Sequence, residues 1–400
     1  MKSLPQTKEK FLLNRFLFCL FAAIPSLAMI ERFLEVMLRD FSREFSIISF
    51  ISIQGIYLIL LWHGSRWFFR KLYNFHQSSI NTLWFVFISV LILMFLLIYP
   101  LTDLGYLGFA SDRDEAIDIA VNELLKGHYP YRCRSISGVH HGCPEKGNLI
   151  SPLSGGLLLA TPFVMMGGSA LQNFFWLIAF YVALRCFQSE RKFPAIYLIT
   201  LMLLSPVLIA EILTGGDYLA NSLAVTLALI LVLNSKSTKN QILGSLLLGV
   251  ALSWRAHFLL IMIPCMLYSI KRKEFKKLPM IGLVTIGSFI LVTLPFWLAN
   301  PVEFTPIHIQ QRLSDFQHLL PHVTIIVVIF SIIVGILGGW WISNFNDLLI
   351  VSGMVVTIPI LFAVLLNSIN VGHLTFLFYG WYALTGTVLG TLGAALHNDF

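Results

Sequence analysis

Long apolar runs alternate with short polar segments along almost the whole chain. A helix needs roughly 20 apolar residues to cross about 30 Å of hydrocarbon, and a helix satisfies its own backbone groups there. The pattern therefore predicts an all-α polytopic membrane protein with about 12 transmembrane helices. The predicted spans are residues 11–31, 45–63, 81–101, 169–187, 193–213, 217–234, 241–254, 256–270, 278–298, 322–342, 347–366 and 372–394.

Composition and charge agree with this class and give it an orientation. Hydrophobic residues make up 57% of the chain and charged residues 12%. Lysine and arginine cluster before the first span, after the second, and near residues 191–192, 236–239 and 271–277. Because cytoplasmic loops retain these residues, we expect both termini in the cytoplasm. The net charge of +7 then reflects membrane orientation, and it indicates no nucleic-acid partner.

The apolar segment 149–168 does not fit the simple alternation. If it crossed the membrane, every later loop would invert, and the basic run 271–277 would face outward. We therefore expect a half-buried helix on the outer side, with Pro152 near its start. An ordinary span is the alternative.

This topology divides the chain into three parts. Residues 1–80 form an amino-terminal transmembrane helix pair, and residues 322–400 form carboxy-terminal transmembrane helices. The central module, 81–321, carries the external loops 102–168 and 299–321. Most carboxylates fall on the external side, which favours an active face there.

The first external loop begins with a dense polar segment. Asp112, Asp114, Glu115, Asp118 and Glu123 crowd twelve residues, with apolar residues between them. This pattern predicts a helix that lies on the outer surface. A carboxylate there can act as a general base if it meets a bound hydroxyl. The alternative is a solvated amphipathic helix whose acids simply face water.

The same loop contains Cys133 and Cys143, with nine residues between them. A disulfide between them is geometrically feasible and chemically allowed on the external side, and a pair of free thiols is the alternative. The loop histidines lack the spacing of metal ligands, so the sequence predicts no structural metal site.

The polar segment over residues 112–131 resembles the first external loop of the GT-C superfamily of integral-membrane glycosyltransferases. The patterns it matches are those of the lipid A aminoarabinose transferases and the polyprenol-phosphate-mannose-dependent mannosyltransferases, including Leu-Leu-x-Gly-x-x-Pro-Tyr over residues 124–131. An ungapped match places the catalytic Asp of the family on Asp112. Arg113 stands where the family often has Glu, which leaves Asp114 as a rival.

The resemblance continues in the same order over roughly residues 81–320. The family often has a lysine before the proline of the half helix; here that lysine is missing, and Lys146 is the nearest substitute. The other matches are Pro152 in the half helix, Asp217 at the start of a later span, Arg255 and His257 at an outer junction, and His308, Arg312 and His318 in the last large external loop.

The resemblance implies a GT-C-like bundle and an inverting transfer of a sugar. The donor is a polyprenyl-phosphate-linked sugar, and the acceptor is a hydroxyl of a glycan, lipid or protein on the non-cytoplasmic side, in a membrane of the bacterial cytoplasmic type. The implied catalytic residues are Asp112 as general base, Asp114 as its rival, and Asp217 as an orienting acid. The implied donor-phosphate ligands are Arg255, His257, Arg312 and Lys146, and the implied acceptor or loop contacts are Glu115, Tyr131, His308 and His318.

Several alternatives stay open at this point. Asp217 can instead cap the helix that begins there, and Arg255 can extend to the membrane interface. A divalent cation, Mg²⁺ or Mn²⁺, bound between the acids and the donor phosphate is a further hypothesis. A transporter or flippase of lipid-linked saccharides is the alternative function, although few charges fall in the middle of the predicted spans. A noncatalytic membrane scaffold is the third hypothesis.

Overall fold

The protein is almost entirely helical, as the apolar pattern predicts. The computed structural model describes residues 8–38, 43–106, 111–132, 134–136, 139–141, 143–144, 148–235, 237–275, 278–306 and 310–397. The α-helices in these ranges are α1 (Lys8–Met37), α2 (Arg43–Tyr73), α3 (Gln77–Asp103), α4 (Arg113–Leu125), α5 (Ser154–Met165), α6 (Gln172–Phe187), α7 (Phe193–Leu204), α8 (Pro206–Leu213), α9 (Tyr218–Asn234), α10 (Thr238–Leu252), α11 (Met262–Lys271), α12 (Leu278–Ala299), α13 (Val323–Trp341), α14 (Phe345–Val371) and α15 (Leu384–Ala395).

Shorter elements connect these helices. Two strands, β1 (Arg134–Ile136) and β2 (Val139–His141), pair antiparallel, with Arg134 opposite His141. The 3-10 turns are Ser169–Leu171, Ala256–Ile261, Gln310–Phe316 and Gly380–Ala383.

Seven helices within the described ranges are long and apolar enough to cross a membrane, or eight if one bent pair counts as a single span. This supports a multi-pass membrane protein, but the predicted number of about 12 spans is not confirmed. The prediction for 372–394 was too long, because only α15 at its end is α-helical and the 3-10 turn Gly380–Ala383 precedes it. Helices α5 and α9 are also apolar, but they are shorter than 18 residues.

The predicted continuous span 193–213 is broken between α7 and α8, whose axes differ by 86°. Proline lacks a backbone N–H, and its ring disfavours helical geometry in the residue before it. Ser205 accordingly leaves the helical region (φ −122°, ψ 80°), and Pro206 starts the new helix at its first position. The bend directs α8 toward α4 and the start of α9.

Helix α5 has 12 residues, so it is a half helix, as expected for the segment 149–168. Its amino end docks against the carboxy end of α10. The Leu153 N–H donates to the Trp254 carbonyl (3.0 Å), and the Gly155 N–H donates to the Ser253 carbonyl (3.1 Å). Each helix end thus supplies the partners that the other end lacks. This exchange fixes the segment before α5 beside the segment after α10.

A single buried apolar cluster joins the three parts of the chain. It includes Phe18 of α1, Leu223 of α9 and Leu389 of α15. At one close approach, the Thr387 hydroxyl donates to the Phe21 carbonyl at 2.6 Å. The predicted helix pair 1–80 therefore packs directly into the carboxy-terminal part of the protein.

Helix α4 packs on α5 through a second apolar cluster. Ile117 and Val121 of α4 are fully buried in it, together with Leu157 of α5 and Phe304. The predicted helix in the polar segment is therefore present, but one of its faces is covered by protein. This contact brings the acidic first turn of α4 to the site described below.

We expect Gly155→Ala to destabilise the protein by about 1–3 kcal/mol, because a Cβ there would collide with the Val250 carbonyl oxygen of α10. The measurement is the thermal unfolding midpoint in detergent. The control is Gly287→Ala in α12, where a Cβ meets nothing within 4 Å. Equal midpoints for the two variants would show that α5 does not dock as described.

Candidate functional site

A buried ion pair joins the start of α9 to the segment after α10. The Arg255 Nη2 lies 2.6 Å from the Asp217 Oδ2, and the Trp254 indole N–H donates to the same oxygen at 3.0 Å. Asp217 is completely buried, and Arg255 is 6% exposed. Asp217 occupies the position before α9, but its side chain caps no backbone N–H. The cap and the extension of Arg255 to the interface, the two alternatives from the sequence, are therefore both wrong.

A second ion pair, with a buried carboxylate and a partly exposed guanidinium, lies beside the first. The Arg113 Nη2 of α4 lies 2.5 Å from the Glu211 Oε1 of α8. The other Glu211 oxygen accepts from the Tyr218 N–H at 3.0 Å. The Arg113 guanidinium stacks over the Tyr218 ring at 4.2 Å, and the Arg255 guanidinium lies 5.1 Å from the same ring centre. Tyr218 thus connects the two ion pairs.

The sequence analysis missed Glu211 and assigned Arg113 no role. Glu211 stands alone in the apolar run 206–213. A carboxylate inside such a run usually has a partner or a function, so this was a usable signal. Its partner was not evident, because Arg113 is 98 residues away in the chain.

Asp114 is buried in the first turn of α4, 2% exposed. Its Oδ2 accepts from the Tyr99 hydroxyl at 2.7 Å, and its Oδ1 has no hydrogen-bond partner within the described part of the chain. Burial raises the pKa of Asp114 to about 7, against the opposing effect of the Tyr99 hydrogen bond. The alternative that all acids of this helix face water is therefore wrong at Asp114.

A glycine allows this burial. Gly215 has φ +71°, a left-handed conformation that favours glycine, and a Cβ there would collide with the Asp114 carboxylate. Asp118 also contacts the 3-10 turn that precedes α6, since its Oδ1 accepts from the Ser169 N–H at 2.8 Å. The acidic turn of α4 therefore fits closely against α8 and the start of α6.

Asp112, the predicted base, lies in a different environment. It directly precedes α4, is partly exposed, and accepts a hydrogen bond from the Asn148 side chain. Its side chain caps no N–H of α4. The two rival acids are therefore separated by burial: Asp112 at the surface and Asp114 inside.

A cavity of about 440 Å³ opens beside Arg255. This volume is within the usual range for ligand sites, roughly 300–1,000 Å³. Arg255, Ser151 and His257 line it, and the Arg255 Nη1 donates to the Ser151 hydroxyl at 2.7 Å. Most of the remaining lining is apolar and comes from the segment before α11 and from α13 and α14: Leu259, Leu260, Ile263, Val327, Val328, Ile332, Pro359, Ile360 and Ala363.

Polar atoms at the Arg255 side of this cavity lack partners. The Arg255 Nε and the His257 Nε2 are buried without a hydrogen bond to any described residue. Asp112, Asp114 and Asp217, all within the described ranges, are not among the lining residues. The cavity therefore presents a cation and an imidazole at one place and a mainly apolar surface elsewhere, to which Thr324, Tyr379 and Tyr382 also contribute.

The other predicted site residues within the described ranges do not line the cavity beside Arg255. Tyr131 is buried, and its hydroxyl donates to the Pro152 carbonyl at 3.1 Å, so it is a packing contact of the loop. Glu115 is partly exposed on α4. His318 is exposed and lies 3.2 Å from the Asn370 side chain. Lys146, His308, Cys133 and the Arg312 side chain lie outside the described residues, whereas Cys143 is disulfide-bonded.

No group of three or more His, Cys, Asp or Glu side chains that could hold a metal ion occurs in the described ranges. The acids instead have arginine, tyrosine, asparagine or tryptophan partners, as described above. The hypothesis of a divalent cation bound between two acids and the donor phosphate stays a prediction.

Comparisons with protein-family models, with curated proteins and with solved structures find no match.

We expect Asp217→Asn to destabilise the protein by about 3–5 kcal/mol, because it leaves Arg255 as a buried charge without its counter-ion. The thermal unfolding midpoint measures this effect. The double variant Asp217→Asn with Arg255→Met removes both charges and should recover part of the loss. Glu123→Gln is the control, since Glu123 pairs with Lys126 on an exposed surface and its loss should leave the midpoint unchanged. An equally small effect for Asp217→Asn would mean that this pair does not hold α9 in place.

Proposed function

We propose that the chain is a glycosyltransferase with a GT-C-like membrane bundle. It moves a sugar from a polyprenyl-phosphate-linked donor to an acceptor hydroxyl on the non-cytoplasmic side of the membrane, with both termini in the cytoplasm. One observation carries the proposal: Arg255 lies at the polar side of an otherwise mainly apolar cavity of about 440 Å³. A phosphate on an isoprenoid chain has the same combination of an anion and a hydrocarbon.

The arrangement around Arg255 suits a phosphate that gains charge as it leaves. A guanidinium binds phosphate oxygens with several N–H groups in one plane. The Arg255 Nε is unpartnered among the described residues, and the Nη1 is bound to the Ser151 hydroxyl. That hydroxyl can rotate and donate to a phosphate oxygen. His257, on the same side, supplies a further polar contact.

Asp114 is our first choice for the general base, with Asp112 as the alternative. Asp114 has an unpartnered Oδ1, and a base is most effective when its pKa is near the working pH. The Tyr99 hydroxyl holds the other oxygen and so orients the carboxylate. Asp217 orients Arg255 through their ion pair.

The reaction is then a single displacement. The acceptor hydroxyl transfers its proton to the carboxylate as its oxygen bonds to the anomeric carbon. The bond from that carbon to the phosphate oxygen breaks, and the electron pair leaves with the polyprenyl phosphate. Arg255 stabilises the negative charge that develops there. Attack opposite to the leaving group inverts the anomeric centre.

A transporter or flippase of lipid-linked saccharides is the second candidate. The break between α7 and α8 and the buried carboxylate of Glu211 favour it, since discontinuous helices and buried charges also occur in transporters. Transport would move the labelled lipid across the bilayer intact, whereas transfer would release polyprenyl phosphate.

The test is transfer of radiolabelled sugar from polyprenyl phosphate by the purified protein in lipid vesicles. We expect Arg255→Ala and Asp114→Asn to reduce turnover by a factor of about 100 or more, because each removes a group that acts on the transition state. Glu123→Gln serves as the control for a lost carboxylate on α4 outside the site. Thermal midpoints establish that each variant is folded. Full turnover in both site variants would contradict the assignment, and intact lipid crossing without release would favour the flippase.

The pH dependence separates the two acids. A base accepts a proton only as carboxylate, so with Asp114 as base the rate should rise with pH, reach half its maximum near pH 7, and level off above. The sign follows from burial, which favours the protonated form below that pH. The measurement is turnover at saturating donor between about pH 5.5 and about pH 8.5. A rate that stays constant across this range would exclude Asp114 as the base.

A further inference from the structure

A second cavity lies between α1 and α2, distant in sequence from the residues of the proposed active site. It has a volume of about 370 Å³. Its lining is almost wholly apolar: Phe16, Cys19, Leu20, Ala23, Leu58, Ile59, Trp62 and His63. Phe16, Leu20, Leu58 and Ile59 are all more than 40% exposed, so the cavity is a groove open on the outer surface of the helix pair. In a membrane, that surface faces lipid.

Arginines gather at one end of this groove. Arg15 precedes Phe16 of the lining, and its guanidinium lies 4.1 Å from the ring centre of Trp62. Trp62, Arg66 and Arg70 recur every four residues and therefore share one face of α2.

Arg66 and Arg70 are close enough to Arg15 to act on it electrostatically. Besides the Cys19 thiol, the described groups that act electrostatically on Arg15 are Arg66 and Arg70, both positive. Arg15 is itself 5% exposed and donates through its Nε to the Trp62 carbonyl at 3.1 Å. That bond assigns Arg15 a structural role, whereas Arg66 is partly exposed and Arg70 is exposed.

We propose that this groove binds an anionic phospholipid, with one acyl chain between α1 and α2 and the phosphate at Arg66 and Arg70. The charges are complementary, since the groove is apolar along its length and its end is cationic. Juxtamembrane arginines attract anionic lipids by about a factor of five each. A free phosphate would satisfy only the cationic end, so the apolar groove points to the lipid. This inference does not depend on the proposed glycosyltransferase activity.

The test measures lipid bound to the purified full-length chain by native mass spectrometry. The protein is titrated in detergent with phosphatidylglycerol and, separately, with phosphatidylcholine of the same acyl chains. We expect tighter binding of phosphatidylglycerol, and affinity about fivefold weaker for Arg66→Gln and again for Arg70→Gln. The control for charge is Arg185→Gln, an exposed arginine near the end of α6 that does not line the groove, which should weaken binding less than Arg70→Gln.

A second pair of variants tests the acyl chain. Ile59→Trp fills the groove and should weaken the binding of phosphatidylglycerol, while the arginines remain. Leu60→Trp is its control, because Leu60 is similarly exposed, 62% against 61%, but does not line the groove. Equal affinity for the two lipids, equal effects of Arg70→Gln and Arg185→Gln, or equal effects of the two tryptophans would each overturn the proposal. Sugar transfer that fails while lipid binding persists would contradict only the proposed function.

Discussion

Four charged side chains around one tyrosine, three of them buried, are the constraint on which the site depends. A charged group leaves water at a cost of several kcal/mol, and only a close partner offsets that cost. Arg113 meets Glu211, Arg255 meets Asp217, and Tyr218 separates the two guanidinium groups. Each pair joins segments far apart in the chain. The ends of α4, α8, α9 and α10 are therefore fixed relative to one another by electrostatics.

Hydrogen bonds from a side chain to the backbone complete this arrangement. Asn173 of α6 donates to the Gly216 carbonyl at 2.9 Å and accepts from the Ala220 N–H at 3.1 Å. It thus supplies partners on both sides of the turn that starts α9. Low local dielectric strengthens such bonds and penalises their loss. Within the described ranges, the Asp114 Oδ1, the Asp217 Oδ1, the Arg255 Nε and the His257 Nε2 are the atoms of the site that remain buried without a hydrogen bond.

Much of the helical structure could be predicted from the sequence because twenty apolar residues in a row have few alternatives in lipid. The break at Pro206 could not, since a proline alone does not end a membrane helix. Pro359 lies inside α14 without interrupting it. The difference depends on the neighbours that donate hydrogen bonds to the freed carbonyls, which a single sequence does not reveal. The prediction of a continuous helix over 372–394 was wrong for a related reason. Apolar composition alone does not distinguish a helix from a packed irregular segment.

The candidate site was predictable in its residue types but not in its pairing. Asp217 and Arg255 were expected in one pocket, and their direct contact follows from the packing of α9 against α10, which brings the start of α9 beside the end of α10. Asp112 and Asp114 are two residues apart in the same polar segment, so the sequence alone does not show which of them is buried. Their burial differs because α4 turns one face toward α5 and Gly215 leaves room for a carboxylate. Glu211 was overlooked because the mean hydropathy of a predicted span stays high when the span contains a single acid.

The docking of α5 on α10 also bears on how the chain is assembled during synthesis. The amide of Gly155 is bonded to a residue 98 positions later in the chain. At ribosomal speeds of roughly 5–20 residues per second, about 5–20 s pass before that partner has been made. During this interval the half helix has exposed amide groups and too few residues to cross the bilayer by itself. The docking of α5 is therefore completed only after α10 has been made.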